Sequence, residues 1–352
     1  MDWGRRRGHR RAGKRRGAQN ILPDVGKYLW PATKRKPPLR VCCLKNARLP
    51  TLLLVLATGG CRLLFPPLDS EFTGERAFWQ GRSVDRETVV IAAAGDISLP
   101  EIGGQKLTSD LIVDGGYDAV LLMGDTQYPR GELANFKAFY DPTWGRFLDR
   151  THPSPGNHEY SRNRAADYYA YFGERAGEPT RGYYSFDLGA WHFVSLNSNC
   201  GYVNCSAESV QVRWLKADLA SNKTKCVLAF WHTPRFNSGD THGDDTDTSA
   251  FWDVLYEAGV DVVLNGHEHI YERFQPQDPL ARADDKKGIR AFTVGTGGAT
   301  LYKLSEPRPN SAVRHNASLG VLKMTLSQDA YAWEFMAVPP STFNDVGSAR
   351  CH

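Results

Sequence analysis

No apolar stretch in this chain reaches the roughly 20 residues that a membrane-crossing helix needs, so the sequence offers no helical span. No internal repeat is present, which excludes a repeat array. The most glycine-rich turn, VGTGG at 294–298, is not followed by Lys-Ser/Thr, so it reads as a tight turn and not as a phosphate loop. Acid is nearly missing from residues 1–48, where 15 Lys/Arg face only Asp2 and Asp24. That block is net +13, which leaves residues 49–352 near −9 within a total of +4. A basic arm of this kind suits nucleic acid or an anionic surface, but no nucleic-acid-binding motif accompanies it and no specific nucleic-acid partner is expected.

The basic block gives way to LPTLLLVLATGGC, residues 49–61, a short apolar run closed by small residues and Cys61. This is the layout of an export signal. Gly59-Gly60-Cys61 resembles a bacterial lipoprotein box, which implies a lipidated Cys61 and membrane attachment. Thr58 stands where that box usually has leucine, so cleavage by an ordinary signal peptidase is the other expectation. Residues 1–48 form a basic extension, of which 1–40 are long for the start of a signal and read as a start placed too early or a dispensable extension. Residues 62–86 read as a linker, and 87–352 as one domain. Cys200, Cys205, Cys226 and Cys351 remain beyond Cys61. An even number suits disulfides in an oxidising compartment: NCGYVNC closes a short loop, Cys226 and Cys351 are the remainder, and buried free thiols are the alternative.

From residue 88 onward short apolar runs alternate with amphipathic ones. TVVIAAA (88–94), DAVLLM (118–123), WHFVSLN (191–197), KCVLAFW (225–231) and DVVLN (261–265) read as buried strands. ANFKAFYDPTWGRFLDR, ESVQVRWLKADLASN and SAFWDVLYEAG read as helices, the second with Val210, Trp214, Leu215 and Leu219 on a core-facing stripe. IRAFTVG, GVLKMTLS and AYAWEFMA then read as a terminal β-meander on an α/β domain.

Polar residues stop these runs in a consistent way. The first ends in Gly95-Asp96, the second in GDTQY with Asp125 and Tyr128, the fourth in His232, and the fifth in GHEH with His267 and His269. A further turn, PGNHE, carries Asn157 and His158 after a helix. Ligands of open α/β sheets sit beyond the carboxyl ends of strands, so these side chains are expected to converge. Singly, each has a bland explanation: Asp96 a turn, Tyr128 a packed aromatic, Asn157 a helix cap, His232 a core histidine. Together they supply hard oxygens and borderline nitrogens suited to divalent zinc, manganese or iron and, with carboxylate plus phenolate, to ferric iron. Seven ligands exceed one ion's need and suit two ions with Asp125 bridging, ~3.5–4 Å apart. In an extended segment His267 and His269 would point to one side roughly 7 Å apart, one to each ion, with Glu268 facing away.

These motifs, GDIS, GDTQY, GNHE, the strand-terminal His232 and GHEHIYER, resemble the metallophosphoesterase (calcineurin-like) superfamily, and Tyr128 with the GHEHIYER extension resembles its purple acid phosphatase branch. The likeness runs over about 88–340. It implies a four-layer αββα sandwich of two mixed sheets flanked by helices, with a dinuclear site at the carboxyl ends of strands. Asp96, Asp125, Tyr128 and His269 would hold Fe(III), while Asp125, Asn157, His232 and His267 would hold a divalent ion (Zn, Mn or Fe). His158 would meet substrate or leaving group, and His242, ten residues beyond His232, stands at the spacing of a proposed general acid. Ser98 replaces the glycine of the family's first motif, and the fibronectin-like domain of the large plant enzymes is not seen. The expected function is an exported or envelope-anchored phosphatase acting on small phosphate monoesters by attack of a metal-bound hydroxide. A phosphodiesterase or nucleotide pyrophosphatase, or a non-catalytic anchored binding protein, are the alternatives. The sequence names no protein partner.

Overall fold

The computed structural model describes residues 88–352; the basic extension, the signal-type segment with Cys61 and the linker lie outside them. Two mixed sheets face each other. One has the order β13-β12-β11-β1-β2-β3, formed by β1 (Val89–Ala94), β2 (Ala119–Met123), β3 (Thr151–Ser154), β11 (Gly320–Leu326), β12 (Ala330–Ala337) and β13 (Val346–Arg350). The other has the order β10-β8-β9-β7-β6-β5-β4, formed by β4 (Tyr184–Leu188), β5 (Trp191–Ser195), β6 (Cys226–Phe230), β7 (Val262–Asn265), β8 (Tyr271–Phe274), β9 (Arg290–Val294) and β10 (Ser311–His315). β1, β2 and β3 run parallel, as do β5, β6, β7 and β9, while β11, β12 and β13 in one sheet and β4, β8 and β10 in the other pair antiparallel with their neighbours.

Strand periodicity of two builds the layers. Ile91, Ala93, Leu121 and Met123 on one sheet meet Phe193, Leu228, Phe230 and Leu264 on the other in a shared core. The alternate residues face outward: Ala92, Ala94, Val120 and Leu122 pack under Phe136, Tyr140 and Trp144. Val194, Val227, Ala229 and Val263 pack under Val212, Leu215, Phe251 and Trp252 of helices Val210–Ser221 and Ser249–Glu257. Both faces of each central strand are therefore dry, which is why these strands read as unbroken apolar runs. This is the αββα arrangement. Among the described residues no helix is long and apolar enough to cross a membrane.

Four expectations change. Residues 134–150 are not one helix but a short helical turn, a π-helical turn Phe136–Tyr140 and a 3-10 stretch Trp144–Arg150. Pro142 between them cannot donate to a helical ladder. The 155–159 turn follows β3 and not a helix; β3 contains Pro153, tolerated because the strand lies at the sheet edge. The terminal strands are no single meander, since β9 joins the seven-stranded sheet and β11 to β13 join the other. On helix Val210–Ser221 it is Gln211 and Val212 that are buried beside Trp214 and Leu215, whereas Val210 is exposed. The register is shifted because Ser209 caps the helix, accepting the Val212 N–H.

Both disulfides are formed, Cys200 with Cys205 and Cys226 with Cys351. The second joins the start of β6 to the residue after β13, and so links one sheet covalently to the other.

Candidate metal centre

The six-stranded sheet contributes Asp96 after β1, Asp125 and Tyr128 after β2, and Asn157 after β3; the seven-stranded sheet contributes His232 after β6 and His267 and His269 after β7. Their turns are laced together beyond the strands: Asp96 N–H donates to Gly124 O, Gly95 N–H to Val294 O and Gly266 N–H to His232 O, each at 2.9–3.1 Å. Three of the seven residues sit at positive φ, Asp96 at 60°, Asp125 at 47° and His267 at 69°. Side chains with a Cβ rarely adopt this region, and such strain gathers at functional sites.

All seven side chains come together, in two groups. In the first, Tyr128 Oη lies 2.9 Å from Asp96 Oδ1, 2.9 Å from His269 Nε2 and 3.2 Å from Asp125 Oδ2. In the second, His232 Nε2 lies 3.0 Å from Asn157 Oδ1, 3.1 Å from His267 Nδ1 and 3.3 Å from the same Asp125 Oδ2. One carboxylate oxygen belongs to both groups. The 266–270 segment reaches them by a turn and not by extension: Glu268 N–H bonds back to Gly266 O and Ile270 N–H to Glu268 O, at 2.9 and 2.7 Å. Each histidine still meets a different group.

Backbone carbonyls fix the imidazoles. His232 Nδ1 donates to Met123 O and His269 Nδ1 donates to Thr300 O, both at 2.7 Å. Each Nε2 is thereby left as a lone pair facing carboxylate, amide or phenol oxygen. So many acceptors turned on one another call for a cation. Without one, protons carry the positive charge. Burial opposes ionisation of His232, but the Asp125 and Asp96 carboxylates raise it to about 9. Burial likewise pushes Asp125 up, and the His232 and His158 imidazoles outweigh it and hold the carboxyl below its usual range. Burial, reinforced by His232 and His242, takes His267 well below 6.5. Burial and then the two aspartates lift the Tyr128 hydroxyl well above 10.0.

His158 follows Asn157 at the start of a helical turn; its N–H donates to Asp125 Oδ1 at 2.9 Å, and its Nε2 stands 3.7 Å from Asp125 Oδ2. His242 stacks on His267, ring centroids 3.9 Å apart. Three further participants carry no role in the motif reading. Glu159 accepts the N–H groups of Gly156, Asp125 and Gln127, at 2.7, 3.0 and 3.2 Å, and so fixes two ligand turns at once. Gly156 has no side chain for the return half of a capping box, so the sequence carried no such signal for Glu159. Glu268 is fully buried and gives its carboxylate to Thr241 and His242. Tyr302 stacks on His269 at 4.0 Å and 9°, with no sequence signal at all.

The calcineurin-like phosphoesterase family model matches residues 90–271, just over half of the chain. The chain belongs to that family. Among its curated relatives are purple acid phosphatase 18 of Arabidopsis thaliana, 28% identical over 269 residues, which covers 69% of this chain and 58% of the relative. Purple acid phosphatase 15 of the same plant is 32% identical over 219 residues, 52% of this chain and 40% of the relative. The calcineurin-like chain thus spans about half the length of the plant relatives it matches. Among solved structures, purple acid phosphatase PPD1 from yellow lupin superposes with a TM-score of 0.64 at 17% identity, over 76% of this chain and 54% of that one. GAP50, described as the anchor in the inner membrane complex of Plasmodium, does so at 0.57 and 14%, over 75% of this chain and 89% of that one. Both likenesses establish the fold of this family member.

Proposed function

We propose that the chain is an exported metal-dependent phosphatase that hydrolyses small phosphate monoesters at a two-metal centre. The carrying observation is the pair of donor groups meeting at Asp125 Oδ2. Asp96, Tyr128 and His269 offer carboxylate, phenolate and imidazole, a set that suits Fe(III); Asn157, His232 and His267 offer a neutral oxygen and two imidazoles, suited to zinc, manganese or ferrous iron. Such a pair of ions would supply Lewis acidity and an activated water at neutral to acid pH.

The chain's own residues do the rest. Neutral Asn157 keeps negative charge low where an anionic ester must enter. His158, with its side chain 36% exposed at the rim of the centre, and His242 are the candidates to protonate the departing alkoxide. Export is supported by the two disulfides and by the signal-type segment, which leaves anchorage through Cys61 and free release as its two forms.

The test is phosphate release from 4-nitrophenyl phosphate beside a matched diester, with metal content and visible spectrum of the same sample. Two metals per chain, a phenolate-to-iron absorption and monoester preference are expected. Asp125→Asn should lose activity by ~10³-fold or more, as loss of a shared ligand in a two-metal site implies. Unchanged turnover in that variant would sink the mechanism, and diester preference with a colourless protein would favour the phosphodiesterase reading.

A further inference from the structure

Glu268, flanked in sequence by two of the candidate ligands, has its carboxylate fully buried against the 233–247 loop. There it accepts three N–H groups from one loop. Thr241 N–H donates to Oε1 at 3.1 Å, and both His242 N–H and His242 Nδ1 donate to Oε2, at 3.1 Å each. The loop fits around it because residue 239 is glycine, where a Cβ would overlap the Glu268 carboxylate. Four residues on, Glu272 accepts Ser238 N–H at 2.7 Å and anchors the near end of the same loop.

We propose that Glu268 is a positioning residue for His242: it fixes the loop backbone and the imidazole tautomer, so that His242 presents Nε2 at the face of His267. The proposal rests on the phosphatase reading and names one arm of it. With Nδ1–H held by a carboxylate, only Nε2 can hand a proton to a leaving group, and the stacking on His267, centroids 3.9 Å apart, places the ring beside the second donor group. The balance is simple: the oxygen of an attacking hydroxide bonds to phosphorus as the ester P–O bond breaks, the leaving oxygen takes the electron pair of that bond, and a His242 imidazolium gives it the Nε2 proton and is left as the neutral Nδ1–H tautomer that Glu268 holds.

The experiment compares parent, Glu268→Ala, Glu268→Gln, His242→Asn and the Glu268→Ala/His242→Asn double variant at matched metal content. Substrates are an alkyl phosphate, which needs leaving-group protonation, and 4-nitrophenyl phosphate, which does not. His242→Asn should lose ~10²-fold or more on the alkyl ester and much less on the nitrophenyl ester. Glu268→Ala should show the same split, Glu268→Gln should recover part of it, and the double variant should be no worse than His242→Asn alone. Hydrogen exchange supplies a readout independent of turnover: the Thr241 and His242 amides should exchange at least ~10-fold faster in Glu268→Ala. Equal losses on both esters would reduce Glu268 to general support of the centre. Parental rates with parental exchange in Glu268→Ala would overturn its role alone. A parent that hydrolyses neither ester would overturn the phosphatase reading and the leaving-group role with it.

Discussion

His192 shows how a single buried side chain sets a pH limit. It is almost wholly enclosed on β5, with Nδ1 at 2.6 Å from Asp187 Oδ1 and Nε2 at 2.9 Å from Asp218 Oδ2. Burial disfavours its charge, yet the two carboxylates outweigh burial and raise it from 6.5 to about 9. A pKa raised on folding means that the folded state holds the proton more tightly. Its stabilisation is therefore complete below the unfolded value and fades as pH rises through about 9. His192→Gln should consequently cost about 2 kcal/mol near pH 6 and progressively less toward pH 9, measured by urea unfolding across the range. A gap that widens with pH would show that the ion pairs do not form. At the same scale the candidate ligands were legible because each is a polar residue placed where an apolar run stops. Glu159 and Glu268 were not, since a carboxylate that accepts backbone N–H groups leaves no periodic trace.

Turns, more than strands, decide where the centre sits. Gly156, after β3, approaches Asp125 so closely that a Cβ would overlap both Asp125 Oδ1 and Asp125 N. Its φ is −97°, open to any residue, so the requirement is space and not conformational freedom. Gly156→Ala should leave the far-UV spectrum of the fold intact while weakening metal affinity by ~10-fold or more, because Asp125 would have to move. Calorimetric metal titration checks this, and parental affinity would mean that the 155–159 turn does not position Asp125. Strand positions were readable from sequence, whereas strand partners were not. IRAFTVG and GVLKMTLS look alike, yet β9 pairs with β7 and β8 while β11 pairs with β1. Nothing local distinguishes a strand bound for one sheet from a strand bound for the other. The trailing Tyr271, Glu272 and Arg273 are likewise explained only by partners distant in the chain: Tyr271 and Arg273 both bind Asp345, at 2.6 and 2.8 Å, and Glu272 binds Ser238.

Across the whole molecule the centre draws on both sheets, so the sheets must stay in register with each other. Their common core does most of this, and Cys226–Cys351 adds a covalent tie across a sequence separation of 125. The Cys226→Ser/Cys351→Ser pair should lose ~2–5 kcal/mol of stability, read as a lowered denaturation midpoint without reductant; an unchanged midpoint would mean that the core alone fixes the sheets. The candidate centre also bears on stability. Asp96, Asp125 and His267 hold positive φ values of 60°, 47° and 69°, each costing on the order of 1 kcal/mol even for residues that tolerate that region. Against a typical total of about 5–15 kcal/mol this is a standing burden. Glycine would relieve it at all three positions. The chain carries two carboxylates and an imidazole there, so the fold gives up stability at the three turns where the candidate centre needs a side chain.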